Sequence, residues 1–159
     1  MKRKAAGTRI PQVSKKKYEE PNKWLMNNDQ QYVESEHING YYGFVYKITN
    51  LVTGKKYIGR KYFWQFRKPK GKKRREKKES DWKFYYGSSK ELLNDIKKLG
   101  KENFKREILS FHTTKGSTNY NETKQLFAHD VLEKDTEYYN DNILGRYFHS
   151  VLEKNKKEK

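Results

Sequence analysis

Cysteine is absent from the 159 residues. That excludes a disulfide scaffold, thiol catalysis and any zinc site built on cysteine. Long apolar runs are also missing: none approaches the ~20 residues needed to span a bilayer. The start, "MKRKAAGTRIPQV", has no apolar signal core, and the expected location is cytoplasmic. Hydrophobic residues make up only 33% against 36% charged, so a core must draw heavily on the 13 Tyr, 8 Phe and 3 Trp. Acidic residues are outnumbered, leaving a net charge of +17. A charge of that size implies a polyanionic partner, and nucleic acid is the commonest. An anionic membrane surface is the weaker reading, because no long amphipathic basic helix stands out.

The length favours one domain with arms. Residues 1–40 read as a basic N-terminal extension, with a short helix around Trp24, Leu25 and Met26 after Pro21. Residues 41–148 read as the main domain, and 149–159 as a charged tail. "YYGFVYKITN" is aromatic and β-branched and predicts a strand. "LVTG" is a turn and "KKYIG" a returning strand, giving a hairpin. The two-residue period puts Phe44, Tyr46 and Ile48 on one face and Val45 and Lys47 on the other. "RKYFWQFR" is expected to follow as a helix.

Lys68 to Ser80 is a charge run holding a proline and a glycine, read as an inserted loop or arm. Ser88 with Glu91 fits a capping box. Leu92, Leu93, Ile96 and Leu99 recur at helical spacing, and Gly100 stands at a helix end. "FKREILSF" predicts a third strand, "TTKGST" a loop, and "NYNETKQLFAHDVLEK" a last helix with Leu126, Phe127, Val131 and Leu132 apolar. "EYYNDNILGRYF" reads as irregular. The order β-β-α-α-β-α predicts an α+β fold: a small three-stranded antiparallel sheet covered by helices.

Taken singly, the polar candidates have ordinary explanations. Hairpin tyrosines usually pack, with the hydroxyl satisfied. Glu122, placed in the first turn of the last helix, suits the helix dipole. Arg67 beside a basic run is by default a solvated or phosphate-contacting side chain. The Lys68–Lys78 run can be a solubility loop, and Trp64, Trp82 and Tyr85 around it can pack or stack on bases.

Their joint spacing says more. "FVY" at 44–46 and "YIG" at 57–59 resemble the paired tripeptides of the GIY-YIG nucleases. Arg67 lies eight residues past Gly59, Glu122 follows a strand and a loop, and "YYN" at 138–140 is similar to the family's late asparagine position, with Asn142 as the fallback. The resemblance runs from about Gly43 to Tyr147. "KKYIGRKYF" and "DWKFYYGSSKEL" are similar to free-standing, often homing-type nucleases of tailed phages. The first tripeptide departs from the pattern, with Gly43 one step upstream. Gly87 stands where some relatives carry a cation, and Lys90 is the nearest substitute.

The resemblance implies a metal-dependent endonuclease acting on double-stranded DNA in an infected host cell. One tyrosine would activate water, Tyr46 being preferred, and Tyr57 would orient water or phosphate. Arg67 would stabilise the pentavalent phosphate, and Glu122 would hold Mg²⁺ or Mn²⁺. Gly59 would let backbone and substrate approach, and Asn140 would brace the site. If Glu122 does not hold the metal, Asp130, Glu133 and Asp141 come next. DNA-binding candidates are Arg60, Lys61, Lys68, Lys70, Lys72, Lys73, Arg74, Arg75, Lys77 and Lys78, the run tracking the backbone by counterion release. The competing readings are a non-catalytic nucleic-acid-binding protein on the same fold and, further off, a basic structural protein.

Overall fold

The computed structural model describes residues 18–26, 31–149 and 152. The basic arm 1–17 and most of the tail lie outside the described residues. In chain order the elements are β1 (Leu25–Met26), β2 (Gly43–Asn50), β3 (Lys56–Tyr62), β4 (Trp64–Arg67), β5 (Glu76–Glu79), α1 (Lys90–Leu99), β6 (Phe104–His112), α2 (Lys115–Ala128), β7 (Asn142–Ile143) and β8 (Tyr147–Phe148). No described helix is long and apolar enough to cross a membrane.

The expected antiparallel trio is present as β6-β2-β3, but the sheet has four strands, in the order β1-β6-β2-β3. The fourth is the Leu25–Met26 segment. It is a strand and not the expected short helix, pairing parallel with Glu107 and Ile108 of β6. Trp24, Val33 and Ile38 nearby are fully buried, so part of the segment read as an extension builds the core. Trp24 donates its indole N–H to the Trp82 carbonyl at 2.7 Å.

The alternation read from β2 holds. Phe44, Tyr46 and Ile48 pack with Trp24, Phe63, Trp82, Leu92 and Ile96 on the α1 side. Val45 packs with Ile58, Leu126 and Val131 on the α2 side. Both sheet faces are therefore covered, leaving the outer edge of β3 as the place where groups from the two faces can meet.

Five local expectations change. The helix expected over "RKYFWQFR" is strand: β3 runs to Tyr62, and β4 pairs antiparallel with β5, Trp64 opposite Glu79 and Arg67 opposite Glu76. Its aromatic residues fit a pleated surface, and the partner strand was hidden inside the charge run. Ser89, not Ser88, caps α1, its side chain accepting from the Leu92 N–H. The "TTKGST" loop is the start of α2, because Thr114 accepts the Ser117 N–H at 3.1 Å and so caps a helix beginning at Lys115. Glu122 consequently lies in mid-helix, beyond the reach of a first-turn dipole effect. Finally, α2 ends at Ala128, so Val131 and Leu132 reach the core from the following turn. The segment read as irregular contains the small β7–β8 hairpin.

Candidate active site

The cleft begins with a register. Tyr46 on β2 stands opposite Gly59 on β3. Cross-strand partners project to the same face, so the Tyr46 ring crosses the space above Gly59. A Cβ at 59 would meet the Tyr46 hydroxyl at 2.5 Å. The expected role of Gly59 is thus altered: the group approaching it closely is the first tyrosine of the pair.

At the β3 edge the two faces converge. Tyr57 and Lys61 approach from the α1 side, Arg60 and Tyr62 from the α2 side. With Tyr46, Tyr85, Ser88 and Glu122 they line a cleft of about 260 Å³. Asn119 and Glu122 are three residues apart on α2 and share a helix face. Asn119 accepts from the Tyr62 hydroxyl at 2.5 Å. Glu122 accepts from Arg60 Nη1 at 2.7 Å, and Arg60 Nε donates to the Tyr62 hydroxyl at 3.2 Å. The carboxylate side is well covered at 14% exposure, whereas Arg60 keeps 40%. An adjoining hollow of about 810 Å³ shares Tyr57, Arg60, Ser88 and Glu122 and adds Lys90, Asn140, Asp141 and Asn142 among others.

Burial governs the electrostatics. It raises the Glu122 carboxyl above its ordinary value, against the opposing pull of Arg60. Burial works against the Arg60 charge, but the Tyr62 hydroxyl and Glu122 outweigh it and hold the guanidinium above its usual value. Burial also pushes the Tyr46 hydroxyl far up, and the neighbouring Tyr57, Tyr85 and Glu122 add to the rise. Tyr57 is raised by burial too, partly offset by Ser88, whose hydroxyl lies 3.1 Å away. Both phenols are therefore neutral in the free protein.

Asn140 is 6% exposed and grips the edge strand between the two signature residues. Its Nδ2 donates to the Ile58 carbonyl at 2.8 Å, and its Oδ1 accepts the Ile58 N–H at 3.1 Å. It stands in for the next step of a neighbour strand, extending along β3 the short parallel pairing that Glu137 and Tyr139 make with the Lys56 backbone. Behind the cleft, the nearly buried Arg106 donates to the Tyr85 carbonyl at 2.9 Å and stands 4.1 Å from the Tyr86 ring centre. Desolvation lowers its pKa to about 10. It holds the turn that carries Tyr85.

Of the residues chosen from sequence, Tyr46, Tyr57, Gly59, Arg60, Lys61, Glu122, Asn140 and Lys90 gather in or beside these clefts. Arg67 does not. It lies exposed at the end of β4 and lines neither cleft. Asp141 lines the larger hollow, while Asp130 and Glu133 line a separate groove. Asn142 accepts from the Gly145 N–H in a turn. Lys68 to Lys78 remain exposed apart from Pro69. Tyr62, Tyr85 and Ser88 also line the cleft; sequence reasoning gave Tyr62 no site role, read Tyr85 only as packing or stacking on bases, and read Ser88 only as a helix cap, although the "YYGSS" stretch just ahead of a helix carried the signal for the last two. Among the described residues, no three His, Cys, Asp or Glu side chains cluster as metal ligands.

The resemblance drawn from the tripeptides is matched over most of the chain. Residues 24–143 fit the family described as "Putative endonuclease segE, GIY-YIG domain", and the chain belongs to the GIY-YIG nuclease family. Among curated proteins, the "Putative endonuclease segE" of Enterobacteria phage T4 is 36% identical over 100 residues, covering 62% of this chain and 40% of that protein. The chain thus spans about two fifths of the relative's length. No solved structure matches.

Proposed function

We propose that the protein is a metal-dependent endonuclease, of the phage homing type, that hydrolyses phosphodiester bonds of double-stranded DNA in the cytoplasm of an infected cell. The observation that carries this reading is the meeting of Tyr46, Tyr57, Arg60 and a single carboxylate, Glu122, in one open cleft. An arginine there suits an anionic substrate, and the net charge of +17 suits a polyanionic one.

The donor set fits a hard cation. Glu122 and the surrounding hydroxyls offer only oxygen, and Mg²⁺ commonly binds through one or two carboxylates, substrate phosphate and retained waters. Glu122 would hold Mg²⁺ or Mn²⁺. When bound, the metal supplies polarisation of the phosphoryl oxygen and a more acidic water.

The chain's own groups do the rest. Arg60, already beside Glu122, neutralises charge building on the phosphate. This role moves from Arg67 to Arg60, because Arg60 is the arginine in the cleft. Tyr57 lines both hollows and orients the attacking water through its hydroxyl. Tyr46, at 1% exposure, supports that arrangement from beneath and is a poor candidate for the activating group. Lys61 guides phosphate to the cleft rim. Asn140 keeps β3 in register.

Incubation of purified protein with supercoiled plasmid tests the proposal, with Mg²⁺ and with EDTA. Nicking or linearisation in Mg²⁺ alone is expected. Intact plasmid under both conditions, across several DNAs, would leave the binding-only reading in its place. Arg60→Ala should stop cutting, while Arg67→Ala should leave the chemical step able to proceed.

A further inference from the structure

The β4–β5 ribbon leaves the sheet directly after Tyr62, a lining residue of the cleft. Its base is fixed. The Ser80 N–H donates to the Phe63 carbonyl at 2.7 Å, Ser80 Oγ donates to the Tyr62 carbonyl at 2.6 Å, and Phe63 is fully buried. Antiparallel register assigns its two faces. Trp64, Phe66, Lys77 and Glu79 share one, and Gln65, Arg67, Glu76 and Lys78 share the other.

The first face lies against the body. Trp64 Nε1 donates to the Tyr41 carbonyl at 2.9 Å, Phe66 stacks on Tyr42 at 6.4 Å and 17°, and Lys77 Nζ sits 4.1 Å from the Trp64 ring centre. The second face points away from these contacts: Arg67, Glu76 and Lys78 on it are exposed and Gln65, nearer the base, is half-buried, while Phe66 and Lys77 of the first face stay exposed toward the tip. Glu76, opposite Arg67 in the register, is ion-paired with Lys72. Beyond the strands, the turn in which Lys72 N–H donates to the Pro69 carbonyl at 3.1 Å, with Gly71 at φ +83°, carries the cationic tip from Lys68 to Arg75.

We propose that this ribbon enters the major groove of duplex DNA, with Arg67 and Gln65 reading base edges and the tip holding phosphates on either side. The proposal rests on the DNA-cleaving reading above and adds where sequence preference comes from. The major groove is about 12 Å wide and admits a two-stranded ribbon. Arginine pairs bidentately with guanine and glutamine with adenine, each such pair discriminating by roughly 5- to 150-fold. Charge complementarity names the occupant, since the tip presents six cations: Lys68, Lys70, Lys72, Lys73, Arg74 and Arg75. The anchored base presents the outward face in a fixed orientation beside the cleft, so the base pairs read lie close to the bond cut. Arg67 thereby gains a role consistent with its position outside the catalytic cleft.

The test is selection from a library of duplexes with a random 20-bp centre, in EDTA so that binding is read without cutting. Bound pools are sequenced for wild type, Arg67→Ala, Arg67→Lys, Gln65→Ala and a variant with four tip cations neutralised. Wild type should enrich a short motif containing guanine. Arg67→Lys keeps the charge but not the planar fork; it should lose at least 5-fold of the preference at one position while retaining most overall affinity. Tip neutralisation should weaken binding uniformly and leave the motif intact. Three results overturn the proposal: no motif for wild type, an Arg67→Lys motif identical to wild type, or an unchanged motif with plasmid cutting abolished by Arg67→Ala, which would return Arg67 to the chemistry. If wild type enriches the predicted motif but never nicks plasmid in Mg²⁺, the hydrolytic reading fails while groove reading stands.

Discussion

Asn140→Ala should destabilise the protein by about 2–4 kcal/mol. The side chain makes two hydrogen bonds to the Ile58 backbone, at 2.8 and 3.1 Å. Each neutral bond contributes a net of about 0.5–1.5 kcal/mol, and leaving its buried partner unmet costs about 1–3 kcal/mol. Water entering from the neighbouring hollow, which Ile58 and Asn140 both line, trims the upper end. For a chain of this size the loss corresponds to a fall in Tm of roughly 4–16 °C. Tyr57 and Gly59 flank Ile58, so cutting should also fall, by about 10-fold or more, at a temperature where both proteins are folded. Asn140→Asp sharpens the argument. A protonated carboxyl can donate to the Ile58 carbonyl, whereas the ionised form sets oxygen against oxygen. The folded state therefore holds the proton more tightly than the unfolded chain does. By linkage, stability is then fullest below the unfolded-state pKa of about 3.9 and declines as pH rises through the raised folded-state pKa. Urea titrations at a series of pH values should show the Asp variant losing ground to the Ala variant as pH rises. An Ala variant within about 0.5 kcal/mol of wild type, or an Asp–Ala difference independent of pH, would refute the idea that Asn140 stands in for a strand.

Three further outcomes are expected. Glu122→Gln should reduce Mg²⁺-dependent cutting by about 10³-fold or more. It should alter stability by no more than about 1 kcal/mol, because an ion pair to a half-exposed arginine is worth little and burial already disfavours the charged carboxyl. Melts, DNA-binding titrations and cleavage rates on one preparation check this, and near-wild-type cutting would shift the metal to Asp141. Gly59→Ala should cost about 1–3 kcal/mol through overpacking, since its Cβ would lie 2.5 Å from the Tyr46 hydroxyl; Tyr46→Phe should recover part of that loss, and a double-mutant cycle showing no coupling would contradict the contact. Neutralising four cations between Lys68 and Lys78 should flatten the salt dependence of nonspecific duplex affinity by about 3–4 units of log–log slope, and an unchanged slope would assign the run to solubility.

The sequence alone determined the local periodicities and, through them, much of the site. Alternation along "FVYKITN" fixed which β2 residues meet which layer, because strand geometry leaves only two faces. Apolar spacing fixed α1, and the tripeptides with their 11-residue separation brought Tyr46, Tyr57 and Gly59 together through a short hairpin. Sequence could not show the pairing of Trp64–Arg67 with Glu76–Glu79, because a strand lying within a charge run carries no apolar alternation and declares itself only by its partner. Nor could it show the start of α2. Thr114 is one of several adjacent turn-forming residues, and its capping bond to Ser117 exists only once β6 has delivered the chain there. Those two features decide which groups share the cleft. Strand in place of helix carries Arg67 out along a ribbon, and the earlier helix start sets Glu122 deep in α2, facing β3. Arg60 was legible as a cation, but its place opposite Glu122 is a tertiary fact: the two lie 62 residues apart and meet because the sheet ends at β3, where groups from both faces reach the same water.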